Sequence, residues 1–421
     1  MMDNGVFNTT DPLAGKRILL GVSGSVAAYK SPELVRALRA AGAEVRVVLS
    51  AAAAAFVTPL TLQAVSGQPV RTALFAAAEE AAMDHIRLAR WADACLLAPI
   101  TAHGLARLAQ GLADDLLGTL VLASRAPLFL APAMNVQMWE HPATRRNCAT
   151  LRSDGAQFFG PESGSLACGE EGEGRMLDPA RIVAELRLAL AEKTLPGLPV
   201  LITAGPTWEA LDPARGISNR ASGKQGFAIA QALAEAGALV TLVAGPSHEA
   251  TPAGVIRQDV VSAEEMQAAC LQVMKNGVEV LIANAAVADH RPAQRSPQKM
   301  DKGSLPNPLP LTENPDIVAA MARHPRRPRW VIGFAAQTHD HLAQAAAKAR
   351  AKGVDMIIVN DIGDGRMGMG AAANHLHLLY GGQMTDLGSG DKLTLARRLV
   401  RALTPLLRHS PPSFSETSES P

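Results

Sequence analysis

The sequence contains few cysteines and no long apolar run, and each shortage excludes a class of protein. Its four cysteines, Cys95, Cys148, Cys168 and Cys270, are scattered, without a CxxC pair or a cysteine–histidine spacing that suits a metal. A disulfide framework and a structural zinc site are therefore not expected, and a reducing cytoplasm fits best. No apolar run approaches the roughly 20 residues that span a bilayer. Because segment 1–13 also lacks the apolar core of a signal peptide, we predict a cytoplasmic protein with no membrane partner.

The sequence also has almost no net charge. With 40 basic and 39 acidic side chains, its formal net charge is +1. This balance gives no electrostatic reason to expect nucleic acid as a partner. Any phosphate-binding site must therefore arise from local geometry. The 421 residues exceed what one hydrophobic core usually supports, so two domains are expected.

The apolar pattern predicts two successive α/β domains. Strands are predicted at 17–21, 44–49, 94–98 and 127–131, and again at 198–203, 238–243, 278–283, 330–335 and 356–360. Helical segments alternate with them, including one that ends near Ala41 and one at 223–236. This alternation is typical of parallel sheets covered by helices. We therefore expect two Rossmann-like or flavodoxin-like three-layer domains with mainly parallel sheets. Their predicted bounds are 14–191 and 199–408, with a linker at 192–198 and a disordered tail at 409–421.

Small and hydroxyl-bearing residues follow three predicted strands of the first half. The segment 21–28, GVSGSVAA, joins the first strand to a helix, and Ser50 and Thr101 follow the next two strands. Ligands of open α/β sheets bind at the carboxyl ends of strands. Backbone N–H groups at a helix N-terminus favour phosphate. A phosphate-binding turn is one interpretation, and a tight turn that needs small residues is an equally good alternative.

Three further residues of the first half could carry chemistry. His85 lies between apolar neighbours, Asn135 follows a buried strand, and Cys168 lies in a glycine-rich segment that could act as a lid. Taken singly, they could be a structural histidine, a helix cap and a small loop residue. Together with the strand-end residues, over about 16–191, they resemble the FMN-dependent cysteine decarboxylases, specifically phosphopantothenoylcysteine decarboxylase.

That resemblance implies three catalytic residues and a flavin site. Decarboxylation of a C-terminal cysteine needs an electron sink, which oxidation of its thiol to a thioaldehyde by flavin provides. In this scheme His85 is the acid/base group, Asn135 fixes the carboxylate, and Cys168 donates a proton in the reductive step. The residues that the resemblance assigns to FMN are Gly24, Ser25, Ser50 and Thr101, with Ser23 in the same turn.

The second half contains another possible anion site. Segment 203–207, TAGPT, ends a strand, and segment 217–226, ISNRASGKQG, leads into a helix with Lys224 nearby. A dinucleotide-binding loop is the rival interpretation, but the GxGxxG motif is missing, so these residues alone leave the ligand open. The downstream motifs are ANAAVAD at 283–289, PQKM at 297–300, NPDIV at 314–318 and GFAAQT at 333–338. The set, over about 199–407, resembles phosphopantothenate–cysteine ligase.

The second resemblance implies a CTP-dependent ligase. It activates the carboxylate of 4′-phosphopantothenate as an acyl-cytidylate, which the amine of cysteine then attacks. Asn219 and Lys299 would be catalytic, and Mg²⁺ together with lysines would neutralise the triphosphate, although no metal ligand is identified. The CTP contacts that the resemblance implies are Ala283, Asn284, Ala285, Asp289, Lys299, Pro315, Asp316, Ile317, Val318, Phe334, Lys348 and Lys352. A solvated helix face is the alternative for Lys348 and Lys352.

Four positions depart from the pattern of the ligase family. Trp208 stands where an arginine is usual, His290 replaces a tyrosine, Gln337 replaces a glutamate, and Ala372 stands where an acidic residue is common. Loss of a guanidinium at Trp208 would weaken phosphate or carboxylate binding. Because Asn219 and the predicted CTP-binding residues are intact, the sequence still predicts an active ligase.

Together the two resemblances imply an enzyme that makes 4′-phosphopantetheine from 4′-phosphopantothenate, cysteine and CTP, and they also imply a homo-oligomer. One alternative is a decarboxylase of peptide C-termini whose second domain serves only assembly, and another is a non-enzymatic flavoprotein that regulates a partner. A nicotinamide reductase is disfavoured, because Ser50 and Ala244 stand where an acidic ribose-binding residue would be needed.

Overall fold

The computed structural model describes residues 11–73, 84–166, 169–301, 303–337, 341–361 and 373–409. The chain divides into two compact units, of which the first ends at Ala191 and the second begins at Glu192. They are called the N-terminal and C-terminal units below. Within the described ranges, no helix has the length and apolar character required to cross a membrane.

The N-terminal unit is built on a five-stranded parallel sheet. Its strands are β1 (Arg17–Val22), β2 (Glu44–Leu49), β3 (Ala94–Ile100), β4 (Leu128–Pro132) and β5 (Gln157–Phe158), followed by the hairpin β6 (Glu162–Ser165) and β7 (Glu171–Arg175). Its α-helices are α1 (Ser31–Ala40), α2 (Pro59–Ser66), α3 (Asp84–Trp91), α4 (Ala102–Ala109), α5 (Leu116–Ala123), α6 (Val136–Glu140), α7 (Pro142–Ser153) and α8 (Pro179–Leu190). The strand order is β2-β1-β3-β4-β5.

Helices cover both faces of this sheet because successive side chains of each strand point to opposite faces. Leu20 packs with Leu34 of α1 in one core. Its neighbour Leu19 packs with Leu120 of α5 in another. All four side chains are almost completely buried. The unit is therefore a three-layer sandwich, as the near-continuous apolar strands predict.

The first helical segment of the sequence forms two helices in the structure. A 3₁₀ helix spans Val26–Lys30, and α1 then begins at Ser31 with Pro32 in its first turn. Proline has no backbone N–H, so it is tolerated at the start of a helix but not within one. Gly42, with φ of +86°, follows α1 in the left-handed conformation and turns the chain into β2.

The C-terminal unit contains an eight-stranded mixed sheet and two short antiparallel two-stranded sheets. Its strands are β8 (Pro199–Ala204), β9 (Trp208–Ala210), β10 (Gly216–Ser218), β11 (Leu239–Ala244), β12 (Val255–Asp259), β13 (Val280–Ala283), β14 (His290–Pro292), β15 (Leu311–Glu313), β16 (Trp330–Gln337), β17 (Met356–Asp361), β18 (Ala373–Tyr380) and β19 (Gln383–Asp391). Its helices are α9 (Lys224–Glu235), α10 (Ala263–Met274), α11 (Ile317–Ala322), α12 (His341–Lys352) and α13 (Lys392–Leu407). The order of the main sheet is β12-β11-β8-β13-β16-β17-β18-β19.

Six neighbouring strands of this sheet, β12, β11, β8, β13, β16 and β17, are parallel. At the edge beside β17, β18 and β19 form an antiparallel hairpin. The chain starts in the centre at β8, runs outward through β11 and β12, and then crosses to β13 on the other side of β8. The N-terminal sheet reverses in the same way between β1 and β3. Such reversals open a crevice at the carboxyl ends of the two central strands. The predicted fold class is confirmed in both units.

The segment that follows α8 is attached to the C-terminal unit. The Leu195 N–H donates to the Ala236 carbonyl at 2.8 Å, and the Gly197 N–H donates to the Gly237 carbonyl at 2.9 Å. Leu195 is buried. Residues 195–197 therefore pack against the end of α9, while the predicted domain bounds and the linker at 192–198 stay a prediction.

Candidate functional site

Ser23 joins the carboxyl ends of the two central strands of the N-terminal unit. Its hydroxyl donates to the Pro99 carbonyl at 2.9 Å and accepts the Thr101 N–H at 3.0 Å. Because Ser23 is buried and both of its hydrogen bonds are internal, its role in the structure is to hold the turn after β1 against the end of β3.

Three predicted flavin-binding hydroxyls lie at the starts of helical turns. Ser25, Ser50 and Thr101 each accept a backbone N–H two or three residues further along the chain, at 3.2 to 3.3 Å. Each hydroxyl hydrogen therefore remains able to donate to an anion. This donor set suits the phosphate of FMN.

Gly24 is required by packing within the turn. A Cβ atom at this position would lie 2.4 Å from the Cβ of Ala52. The tight-turn interpretation therefore explains this glycine without any ligand. The flavin-binding role of Gly24 stays a prediction.

A pocket of about 470 Å³ lies beside Asn135. Its walls come from the 3₁₀ helix Val26–Lys30, the loop after β4, and the hairpin β6–β7 with the residues after it. Among the predicted site residues, Ser25 and Asn135 line it. The Asn135 Nδ2 donates to Glu170 Oε2 at 2.6 Å, and its Oδ1 accepts the Gln137 N–H at 2.8 Å. Asn135 thus caps α6 and also presents an amide donor at this pocket.

The strand β7 closes one side of this pocket by close backbone contact. The Met134 N–H donates to the Gly174 carbonyl at 3.0 Å. A Cβ on Gly174 would lie 2.3 Å from the Met134 carbonyl oxygen. The indole N–H of Trp139 adds a hydrogen bond to Glu173 at 3.0 Å. The hairpin is therefore held directly against the loop that carries Asn135.

Of the predicted catalytic residues, only Asn135 lines this pocket in its described part. His85 lies in the first turn of α3, half-buried, and is not among the described residues that line the pocket. Cys168 lies outside the described residues. Ser50, Thr101 and Gly24 also do not line the pocket in its described part.

The C-terminal unit contains a pocket of about 420 Å³ at the carboxyl ends of its central strands. Most of the residues predicted to bind CTP line it together with Asn219. Those residues are Ala283, Asn284, Ala285, Asp289, Pro315, Asp316, Ile317, Val318, Phe334 and Lys352. Lys299 and Lys348 are exposed and are not among the described residues that line it.

The loop after β13 is tied to two other segments of this pocket. The Asn219 Nδ2 donates to the carbonyls of Ala286 and Val287 at 3.0 and 3.1 Å. The Asn314 N–H donates to the Asp289 carbonyl at 2.8 Å. Three motifs that are far apart in sequence, 217–226, 283–289 and 314–318, therefore meet in one site.

Asp316 and Lys352 face each other at the rim. The Asp316 Oδ1 accepts the Ala319 N–H at 3.0 Å, which caps α11, and lies 3.5 Å from the Lys352 Nζ. Both side chains are more than two-fifths exposed, so this ion pair contributes little to stability. It holds the lysine at the pocket.

Family comparisons agree with this division into two units. The family model described as "Flavoprotein" matches residues 6–190. The model described as "DNA/pantothenate metabolism flavoprotein C-terminal domain" matches residues 195–406, which is half of the chain. The chain is 49% identical over 390 residues to the coenzyme A biosynthesis bifunctional protein CoaBC of Vibrio cholerae, covering 91% of this chain and 97% of that one.

The chain belongs to the family of bifunctional coenzyme A biosynthesis proteins. The Escherichia coli member of this family is 48% identical over 375 residues, covering 87% of this chain and 91% of that one. A crystal structure of the C-terminal domain of a CoaBC protein is 32% identical with a TM-score of 0.44, covering 52% of this chain and 99% of that chain.

The sequence interpretation missed Asp212, an acidic residue that positions the segment around the predicted catalytic Lys299. Asp212 is buried, and its carboxylate accepts Arg215 Nε at 2.9 Å and the Met300 N–H at 3.2 Å. Arg215 also donates to the Met300 carbonyl at 2.7 Å. These contacts fix the residue beside Lys299. The Asp212–Arg215 hydrogen bonds hold the pKa of Asp212 well below its usual range.

A buried lysine of the N-terminal pocket was also missed. The Lys30 Nζ lies 2.5 Å from Asp178 Oδ1 and donates to the Met176 carbonyl at 3.4 Å. The hydrogen bond from Lys30 is the largest cause of the lowered pKa of Asp178. Since the charge of Lys30 is already paired, this lysine supports the wall of the pocket.

The departures from the ligase family pattern have different surroundings. Trp208 lies in β9 with 38% of its surface exposed, and its ring lies over Gly216, where a Cβ would approach it to 2.5 Å. His290 pairs with Glu313 between β14 and β15. Gln337 ends β16, and its side chain, like Ala372, lies outside the described residues. Trp208 therefore packs against the β9–β10 hairpin.

Proposed function

We propose that this chain catalyses two consecutive steps of coenzyme A biosynthesis. It joins cysteine to 4′-phosphopantothenate with CTP, and it decarboxylates the resulting 4′-phosphopantothenoylcysteine to 4′-phosphopantetheine with FMN. The observation that carries the proposal is that each family model covers one unit and each unit holds a pocket lined by residues of its own motifs.

The C-terminal pocket supports binding of a nucleoside triphosphate. Asn219, Asp289 and Lys352 line it, so it offers an amide, a carboxylate and an ammonium group to a ligand. Mg²⁺ is usually held by one or two carboxylates together with substrate phosphates. Because Asp316 already caps α11 and pairs with Lys352, Asp289 is the carboxylate that suits Mg²⁺.

Ligation proceeds in two displacements in this proposal. A carboxylate oxygen of 4′-phosphopantothenate attacks the α-phosphorus of CTP, and pyrophosphate leaves. The amine of cysteine then attacks the acyl carbon, and CMP leaves. The loop that Asn219 holds carries the residues predicted to bind CTP, so this amide would keep the nucleotide and the acyl group in one place. Positive charge at Lys299, beside the fixed Met300, would offset the charge that develops on the phosphates.

The N-terminal pocket supports decarboxylation. Bound FMN would supply reversible two-electron oxidation of the substrate thiol, which gives the departing carboxylate an electron sink. The donor hydroxyls of Ser25, Ser50 and Thr101 would hold its phosphate. Asn135 Nδ2 already donates to a carboxylate, that of Glu170, so the same donor can orient the carboxylate of the substrate once Glu170 has moved. The roles of His85 as acid/base group and of Cys168 as proton donor stay predictions.

We also propose that the protein is a homo-oligomer. Val26 and Tyr29 line the pocket beside Asn135, and 51% and 64% of their surfaces are exposed. Exposed apolar side chains around a pocket favour cover by another protein surface. A second copy of the chain that covers them could also bring a His85 to the Asn135 pocket. A location in the cytoplasm stays a prediction.

The test is a complete reaction with purified protein. It is incubated with 4′-phosphopantothenate, cysteine, CTP and Mg²⁺, and pyrophosphate, CO₂ and products are measured by mass spectrometry. We expect pyrophosphate, CO₂ and 4′-phosphopantetheine in equal amounts. If pyrophosphate is absent while supplied 4′-phosphopantothenoylcysteine still loses CO₂, the C-terminal unit is not a ligase. If neither reaction occurs, the proposal is wrong.

A further inference from the structure

Lys392 is a buried cation at the C-terminal pocket. It is the first residue of α13, it lines the pocket, and only 8% of its surface is exposed. Among the residues that the structure describes, its ammonium group pairs with no carboxylate and donates no hydrogen bond. Its Nζ is not among the buried unpaired atoms of the described residues, so the side chain is buried while its ammonium group opens onto the pocket. A partly desolvated cation without a partner is costly, so its position at an open pocket suggests that the missing partner is a ligand.

A second cation faces the same space. Lys224 begins the 12-residue helix α9 and also lines the pocket. Burial is the largest cause of a lowered pKa at Lys392, the charge of Lys224 is the next, and the smaller effect of Glu249 opposes both. The N-terminus of α9 adds the positive end of its dipole. The pocket is therefore electropositive where Lys224 and Lys392 approach each other.

The backbone that carries Lys392 is held by buried amides from two other elements. Asn374 Nδ2 of β18 donates to Gln225 Oε1 of α9 at 2.8 Å. Gln225 Nε2 in turn donates to the Lys392 carbonyl at 3.4 Å. Asn374 is 1% exposed, Gln225 is 9% exposed, and both line the pocket. This network fixes where the lysine side chain leaves α13.

A buried ion pair further along the two helices fixes their packing. Arg397 Nε of α13 lies 2.8 Å from Glu235 Oε2 of α9, with the side chains 10% and 6% exposed. Since both partners are buried and matched, α13 is fixed against α9 over its first two turns. The backbone of Lys392 is thus fixed before any ligand binds, which lowers the entropic cost of binding.

From the unpaired ammonium of this buried side chain, beside Lys224 and the start of α9, we infer that Lys392 binds a phosphoryl group of a ligase substrate. The inference rests on the proposed function, since two of the proposed substrates carry phosphate: CTP and 4′-phosphopantothenate. Both sources offer the same chemistry to Lys392, a dianionic or polyanionic phosphoryl group. The sequence motifs did not single out this residue, which lies 168 positions after Lys224.

The test compares three full-length proteins: wild type, Lys392→Met and Lys275→Met. Methionine keeps the length of the side chain and removes the charge. Lys275 is the matched control, because it is exposed just after α10 and its ammonium donates to the exposed Gln272. We expect Lys392→Met to weaken binding of one phosphorylated substrate about 10- to 100-fold, the usual effect of losing a hydrogen bond to a charged group. Lys275→Met should match wild type, and Lys392→Arg should recover part of the loss.

The two sources of the phosphate are separated by titrating each substrate alone. Binding of CTP with Mg²⁺, and of 4′-phosphopantothenate, is measured by calorimetry, and KM for each is measured by pyrophosphate release. Weaker CTP binding places the nucleotide phosphates at Lys392. Weaker 4′-phosphopantothenate binding, together with a smaller preference for it over pantothenate, places the 4′-phosphate there. Unchanged binding and unchanged KM for both would overturn the inference.

Thermal melting without ligand separates a binding role from a structural one. Because Lys392 is buried and unpaired, its replacement by methionine should leave the melting temperature of the ligand-free protein unchanged or raise it. A lower melting temperature would show that the lysine stabilises the fold and would count against the inference. If the wild type releases no pyrophosphate, the proposed function fails, while the two binding titrations still decide the role of Lys392.

Discussion

The two ends of the Asn135 side chain lie in different surroundings. Oδ1 accepts the Gln137 N–H at the start of α6, whereas Nδ2 donates to the Glu170 carboxylate. The structural and the chemical interpretations of this residue are therefore compatible. A substitution that keeps the cap and removes the donor can separate them.

We expect Asn135→Asp to abolish most decarboxylation without unfolding the N-terminal unit. Aspartate caps helices as well as asparagine does, but it cannot donate to a carboxylate and repels it. Loss of one such donor typically lowers the rate at least about 100-fold. The measurement is CO₂ release from supplied 4′-phosphopantothenoylcysteine. Asn147→Asp, on α7, is the control and should behave as wild type, and an active Asn135→Asp enzyme would remove Asn135 from the mechanism.

The buried carboxylate of Asp212 gives a prediction about pH. Its pKa lies below the ordinary value of 3.8, chiefly because of the hydrogen bond from Arg215. Its stabilising contribution is therefore complete above the ordinary value and is lost as pH falls through the folded value. We expect Asp212→Asn to lower the urea midpoint of the C-terminal unit by a constant amount from about pH 5 to 8, and by less below about pH 4. A difference that already shrinks between pH 7 and 5 would contradict this explanation.

The residues predicted from sequence are those that follow apolar strands. Asp289 lies in the loop that follows β13, and the rule that ligands bind at carboxyl ends of strands places this loop at the pocket. Lys392 and Asp212 could not be found in this way. Lys392 reaches the pocket from a helix that packs on α9, and Asp212 acts through Met300, 88 residues away. Their roles depend on tertiary contacts that no local pattern records.

At the scale of elements, β7 lies closer to its neighbouring loop than most side chains would allow. We expect Gly174→Ala to push β7 away from Met134, since the new Cβ would lie 2.3 Å from a backbone oxygen that cannot move freely. The pocket beside Asn135 should open, and decarboxylation should fall at least about tenfold, as it does when catalytic groups are misplaced by about 1 Å. Ligase activity should not change.

Gly164 provides a control in the same hairpin. Among the described residues, a Cβ there would meet the Arg175 side chain at the ordinary contact distance of 3.6 Å, so Gly164→Ala should decarboxylate like wild type. Both variants are assayed by CO₂ release and by pyrophosphate release. Equal activity of the two variants would show that the close approach of β7 to Met134 is not needed for the reaction.

The central strands could be predicted because they are buried on both faces. β3, for example, is buried along its whole length and reads as a continuous apolar run. The edge hairpin of β18 and β19 was not predicted. β18 alternates buried and half-buried residues, and β19 contains Gly388 with φ of +76° and several polar residues, so it resembles a loop. β19 is a strand because it pairs with β18, and its own apolar content would not predict one.

At the scale of the whole molecule, the two proposed reactions use residues of different units. Inactivation of one reaction should therefore leave the other intact. We expect a mixture of Asn135→Asp and Asn219→Asp proteins to make 4′-phosphopantetheine after a lag, because the ligated intermediate can leave one chain and enter another. Each variant alone should make far less over the same time. A mixture that accumulates 4′-phosphopantothenoylcysteine would show that the intermediate is passed on only within one chain.

The attachment of residues 195–197 to the end of α9 determines where this protein can be divided. A C-terminal fragment that starts at Pro199 would lose the backbone hydrogen bonds to Ala236 and Gly237 and the buried Leu195. A fragment that starts at Glu192 keeps them. Burial of one leucine is worth about 2 kcal/mol, so the longer fragment should melt at a higher temperature in a thermal scan. Engineers who transfer the ligase unit to another carrier protein should therefore take its cut point before Lys193.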